Sequence, residues 1–176
     1  MSKTSSGVNC LLILTGVFNA DGGIAALNRL MVHALARAGC KLDLFVLTEP
    51  AHAFPDERYL CGAPTNYHTF AGNKIAFAAG AWRAVLTNHY RWIFVDHVNL
   101  AAVLTPFRRR HPYRVWLCGV EVFPPRPDCE GQLGLTGAAQ ALAISEFTRS
   151  SVASRFPNVD IAVVDLALDP VGHRLT

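Results

Sequence analysis

Residues 16–30, "GVFNADGGIAALNRL", decide the fold. They follow directly on "CLLILTG" (10–16), an apolar run of the kind that a strand covered on both faces requires. From Ile24 the apolar positions change period, and Ile24, Leu27, Met31, Ala34, Leu35 and Ala38 trace one stripe of a helix. Asp21, Gly22 and Gly23 stand where the strand gives way to that helix. Two readings of the turn remain open. It is a tight turn in which Asp21 caps the helix, or it is a seat for an anion, the glycines letting backbone N–H groups at a helix N-terminus come close to a phosphate.

The same alternation continues on either side. Gly39 closes the first helix, and "KLDLFVLT" (41–48) reads as the second strand. Residues 49–66, with Pro50, Pro55, Gly62 and Pro64, read as a loop. "NYHTF" (66–70) is a short strand, and 73–88 a helix carrying Ile75, Ala78, Ala79, Trp82 and Leu86. Strands follow at 91–97, 113–119, 141–145 and 160–168, with helices at 99–110, 131–138 and 146–155. Strand then helix, about six times over, predicts a parallel sheet with helices on both faces, a Rossmann-like doubly wound α/β domain. Its expected extent is 9–168, after a frayed tail at 1–8 and before the start of a linker at 169–176.

A chain of 176 residues that is 51% hydrophobic and 16% charged can bury one substantial core. Its net charge of +3 is too mild to point to nucleic acid. The five cysteines are scattered and form no Cys-x-x-Cys pair, which argues against a zinc site or disulfide framework and fits the reduced thiols of a cytoplasmic protein. No apolar stretch reaches membrane-spanning length, and "MSKTSSG" lacks the apolar core of a signal peptide. The basic run "FRRRHPYR" (107–114) reads as a solvated helix end that complements the helix dipole, or as a peripheral contact with an anionic lipid surface.

In an open parallel sheet, ligands bind beyond the carboxyl ends of the strands. Four stretches place polar residues there. After the first strand come Asn19, Gly22 and Gly23; after the fourth, "FVDHVNLAAVL" (94–104) supplies Asp96, His97 and Asn99. His97 suits hydrogen bonding or proton exchange with a substrate hydroxyl, or it simply bonds backbone beside a cap formed by Asp96 or Asn99. After the fifth strand, "LCGVEVFPP" (117–125) supplies Cys118 and Glu121, an acid that needs a partner or a ligand at an apolar strand exit. After the sixth, "ISEFTRSSV" (144–152) gives Ser145 as an N-cap and Arg149 in a first turn, where a cation opposes the dipole and calls for an anion or an acid from a neighbouring segment.

Taken in order, "DGGIAALNRLMVHALARAGCKLDLFVLT", "DHVNLAAVL", "LCGVEVF", "ALAISEFTRSSVASRF" and "VVDLALDP" resemble the N-terminal half of GT-B glycosyltransferases, in particular the retaining, mannosyltransferase-like family 4. The resemblance runs from Leu11 to Pro170. It implies two Rossmann-like domains facing a cleft, the N-terminal one holding the acceptor and the C-terminal one a nucleotide-sugar donor. It implies that Gly22 and Gly23 approach the donor diphosphate and that His97 and Glu121 serve catalysis. Asn19, Asn99, Cys118, Ser145 and Arg149 become the candidate substrate-binding residues. The chemistry so implied passes through an oxocarbenium-like transition state and needs no metal and no cofactor beyond the nucleotide-sugar.

Two departures stand out. Cys118 occupies the place of a histidine usual in the family. The family's C-terminal pair of glutamates has no counterpart, since Glu49 and Glu57 share its spacing but lie in the Pro-rich loop. The chain is therefore expected to be an inactive half that works with a C-terminal donor-binding domain of the same polypeptide. A non-catalytic α/β ligand-binding or regulatory module is the alternative.

Overall fold

The computed structural model describes residues 7–119, 129–167 and 171. Its elements run β1 (Asn9–Leu14), α1 (Gly23–Arg37), β2 (Lys41–Val46), α2 (Glu57–Leu60), β3 (Thr65–Thr69), α3 (Lys74–Thr87), β4 (Trp92–Val95), α4 (Val98–Ala101), a 3-10 turn (Ala102–Phe107), β5 (Arg114–Leu117), α5 (Cys129–Thr136), β6 (Gln140–Ala143), α6 (Glu146–Ala153) and β7 (Ile161–Val163). Every strand pairs parallel with its neighbours, in the order β3-β2-β1-β4-β5-β6-β7. The doubly wound parallel sheet is thus present as expected. Its order reverses direction between β1 and β4, the point at which such sheets open a crevice beyond their strand ends.

Alternate residues of the strands feed two apolar layers. Leu11, Ile13, Phe45, Ile93, Val95, Val115 and Leu117 pack on one face with Phe77 and Ala81 of α3, Ala101 of α4 and Val152 of α6. Leu12, Leu14, Leu42, Leu44 and Val46 pack on the other with Leu27, Met31, Val32 and Ala36 of α1 and with Tyr59 and Leu60 of α2. That two-sided burial is why the strand sequences read as nearly unbroken apolar runs.

Several local expectations change. The loop at 49–66 contains a helical turn, α2, capped by Asp56, whose carboxylate accepts from the Arg58 N–H at 3.0 Å. The helix expected over 99–110 stops at Ala101 and continues as a 3-10 turn containing Pro106. Proline removes a backbone donor and crowds the carbonyl four residues back, at Ala102, where α geometry ends. The last strand is three residues long rather than nine.

Helix α3 buries only some of its apolar residues. Its buried residues are Phe77, Ala81, Ala84 and Val85. Of the apolar residues named from the sequence, Ile75 is 84% exposed, Leu86 63% and Trp82 44%. The helix is apolar on two sides, and periodicity alone does not say which of them meets the sheet. The tail expected at 1–8 lies outside the described residues through residue 6, as do residues 169–176 apart from Val171.

Candidate functional site

The polypeptide leaving β1 is held by side chains from three other segments. Glu49, at the exit of β2, is 1% exposed. Its Oε1 accepts from three consecutive backbone N–H groups, those of Val17 and Phe18 at 2.6 Å and Asn19 at 3.0 Å. Asp96, at the exit of β4, is fully buried. Its Oδ2 accepts from the Thr15 N–H at 2.6 Å and the Asn28 amide at 2.7 Å, and its Oδ1 from the Thr15 hydroxyl at 3.1 Å. Asn28, buried on α1, also donates to the Gly16 carbonyl at 2.7 Å. Arg29 donates to the carbonyls of Val17 at 2.8 Å and Ala20 at 3.1 Å.

A buried carboxylate is stabilised only when donors surround it. Here both carboxylates gather their donors from the segment that leaves β1 and from α1, so the turn before α1 is locked to both β2 and β4. Burial pushes the Asp96 carboxyl above the ordinary range, against the lowering effect of the Thr15 and Asn28 hydrogen bonds and of the nearby His97.

The locked turn ends at the glycines. Gly22 has φ of +105° and is the N-cap of α1, with no side chain bonding the first-turn donors. Asp21 therefore does not cap the helix. No acidic residue lies in the first turn of this 15-residue helix, so the positive end of its dipole is unopposed within that turn. A Cβ placed on Gly22 or Gly23 would meet nothing within 4 Å. At Gly22 the positive φ accounts for glycine, while at Gly23 neither crowding nor φ does.

His97 is the N-cap of α4, and its Nδ1 accepts from the Asn99 N–H at 3.2 Å. That bond places the ring proton on Nε2, whose N–H is then the ring's donor. The Asn99 side chain lies against α5, where a Cβ on Gly131 would come within 2.7 Å of its Oδ1. Asn19 turns its amide toward Glu49, with Nδ2 3.5 Å from Oε2. Cys118, half-buried, packs with the α1-side core, its Sγ 3.9 Å from the Asp96 carbonyl oxygen.

Ser145 caps α6, accepting from the Thr148 N–H at 3.1 Å. The acid that meets Arg149 belongs to its own helix and not to a neighbouring segment: the guanidinium Nε donates to both carboxylate oxygens of Glu146, at 2.8 and 2.9 Å. Glu121 lies outside the described residues. Gly22, Gly23, His97, Cys118 and Ser145 follow β1, β4, β5 and β6, and the parallel sheet brings them to one edge.

Glu49 and Asn28 are the structural members that the sequence reading did not single out. Asn28 carried a signal, because it stands four residues after Ile24 and four before Val32, a polar residue among apolar ones on a buried helix face. Glu49 carried a fainter one, an acid at the exit of an apolar strand. Among the described residues, no three His, Cys, Asp or Glu side chains converge as a metal site would require, and no helix is long and apolar enough to cross a membrane.

No protein-family profile and no curated protein sequence matches the chain. Solved structures do. The lipopolysaccharide outer core galactosyltransferase WaaB, in its apo form, superposes with a TM-score of 0.60 at 14% identity, over 92% of this chain and 46% of that one. Sucrose-phosphate synthase from Thermosynechococcus elongatus superposes with a TM-score of 0.64 at 13% identity, over 92% of this chain and 48% of that one. The chain thus spans less than half the length of either. At such identities the likeness is one of fold: the chain has the Rossmann-like α/β architecture that makes up one half of a GT-B glycosyltransferase.

Proposed function

We propose that this chain is the acceptor-side, N-terminal domain of a retaining glycosyltransferase that draws on a nucleotide-sugar donor and acts in the cytoplasm with a C-terminal donor-binding domain. The observation that carries the reading is the glycine turn. Gly22 and Gly23 face open space at the uncapped N-terminus of α1, beside the β1/β4 switch point, on a turn that Glu49, Asp96 and Asn28 hold in place. Free N–H groups and an unopposed dipole suit a diphosphate. A rigid arrangement of that kind stabilises the charge that develops as the diphosphate departs, without reorganising during the reaction.

His97 contributes a hydrogen bond. With Nδ1 engaged by Asn99, its Nε2–H can hold a sugar hydroxyl, which is an orienting role. Glu121 joins it through the resemblance alone. The name of each structural neighbour supports sugar transfer in general, and the acceptor, whether glycan, lipid or small molecule, is left open by this reading.

The test is an amide NMR titration of the 176-residue chain with uridine and guanosine diphosphate sugars, combined with an assay for nucleoside diphosphate release. Shifts centred on Gly22, Gly23, Ile24 and His97, with no turnover by the chain alone, are expected. Robust sugar transfer by the chain alone would overturn the half-enzyme reading, and shifts confined to other segments would overturn the site.

A further inference from the structure

Charge is unevenly distributed along this chain. Between Cys61 and Gly119 there are seven lysines and arginines and a single acid, Asp96, which is buried. The surface contributed by this stretch therefore has cations and no carboxylate. The outward side of α3 belongs to it. Ile75, Ala79, Trp82 and Leu86 are spaced at i, i+4, i+7 and i+11, so they share one face, and all four are exposed. The Trp82 indole N–H donates to the Val103 carbonyl at 2.8 Å, and its ring meets Phe107 edge-on at 6.0 Å. That contact joins the apolar stripe to the basic run Arg108, Arg109 and Arg110, all exposed, with Arg83 next to Trp82. None of these four arginines takes part in an ion pair among the described residues. Just beyond, partial burial and the neighbouring Arg110 and His89 lower the pKa of His111.

We infer that the outer face of α3 and the adjoining Arg108–Arg110 segment form a docking surface for an anionic phospholipid bilayer. An apolar stripe that contains a tryptophan, flanked by arginines, is the arrangement that settles at a headgroup boundary: the aliphatic and indole groups enter the interface while the guanidinium groups pair with lipid phosphates. The absence of any exposed acid in this stretch selects an anionic surface. A soluble acidic partner would satisfy the arginines but not bury Ile75 and Leu86 in a fluid apolar phase, and a second copy of the chain would set arginines against arginines. The surface runs along the helix layer at the side of the sheet, so docking there leaves the crevice beyond the strand ends uncovered. This inference does not depend on sugar transfer.

The test is co-sedimentation of the purified chain with phosphatidylglycerol-containing vesicles and with vesicles of phosphatidylcholine alone, with the tryptophan emission recorded. Binding to the anionic vesicles, weakened by salt and accompanied by a blue shift that Trp82→Phe abolishes, is expected. Replacing Arg108, Arg109 and Arg110 together by Gln is expected to weaken binding on the order of a hundredfold, at about fivefold for each arginine. Ile75→Ser with Leu86→Ser is expected to weaken it further while leaving the thermal melt unchanged. Absence of vesicle binding at low salt would overturn the proposal. So would binding indifferent to both sets of substitutions, or light scattering that shows a dimer dissolved by Leu86→Ser in a protein that ignores vesicles.

Discussion

Helices α1 and α3 are nearly equal in length and pack on opposite faces of one sheet, yet they break the ordinary pattern in opposite ways. On α1 a polar residue, Asn28, is buried. On α3 apolar residues, Ile75, Trp82 and Leu86, are exposed. A stable core would be served better by neither. Each inversion places a side chain where stability does not require it: Asn28 ties the glycine turn to Asp96, and the stripe on α3 faces a phase outside the protein. Buried polar groups and exposed apolar patches carry more functional information than the rest of a surface.

The comparison is open to breaking at four points. The strongest effect is expected at the partner of Asn28. Asp96→Ala removes the acceptor for the Thr15 N–H and the Asn28 amide, and buried donors without a partner cost about 1–3 kcal/mol each. Asp96→Asn keeps a carbonyl for both and is expected to lose far less in chemical denaturation. It also bears on pH. Burial raises the folded-state pKa of Asp96 above its unfolded value, so between the two values the folded chain binds more protons and stability falls as pH rises through that window. Asp96→Asn should flatten that slope; a profile identical to wild type would mean that the carboxyl is not desolvated.

Next in size is the inner side of α3. Phe77 is buried against Phe70, their rings edge-on at 5.4 Å. Phe77→Ala is expected to cost about 3–5 kcal/mol in a urea titration. Ile75→Ala, two residues away, is expected to stay within about 0.5 kcal/mol of wild type. Equal losses at the two positions would show that both sides of the helix are covered, and the contrast with α1 would collapse.

The turn that Asn28 holds is tested by Gly23→Val. A Cβ there meets no neighbour, so the melting temperature should hold, while a branched side chain stands between the α1 N–H groups and any phosphate. In an enzyme that carries both halves, Gly23→Val and His97→Ala are each expected to lower kcat/KM tenfold or more, about 1.4 kcal/mol of transition-state stabilisation. Cys118→Ala is expected to leave turnover nearly intact, and a stably folded but inactive Cys118→Ala variant would reverse those roles. The smallest effect is at the outer side of α3, where Leu86→Ser should change stability by less than about 0.5 kcal/mol and solubility upward. A large loss there would mean that Leu86 packs against something within the folded chain.

What the sequence disclosed follows the same division. Parallel strands buried on both faces leave continuous apolar runs, so "CLLILTG" and "KLDLFVLT" were legible, and so was the glycine turn between strand and helix. Ser145 was legible as a cap because a cap is local. The roles of Glu49 and Asn28 were not, since Glu49 reaches N–H groups about thirty positions back in the chain and Asn28 meets Asp96, 68 positions away. Asp96 was visible as a residue at a strand exit, but not as the hub that joins β1 to α1. The outer stripe of α3 was legible as apolar, but its direction was not, because period measures regularity and not direction.

The strand order has a consequence in time. β1 pairs with β2 on one side and, across Cys10–Ile13, with Trp92–Val95 of β4 on the other. At about 5–20 residues per second, the first strand emerges from a ribosome roughly 4–16 s before the partner that closes its second edge. Throughout that interval "NCLLIL" has at least one open row of hydrogen-bonding groups and an apolar surface with no cover from α4. Central strands that depend on distant partners fold slowly. The segment that ends as the most enclosed in the protein is thus the one exposed longest while it is being made, and the one on which a nascent-chain chaperone has the most reason to act.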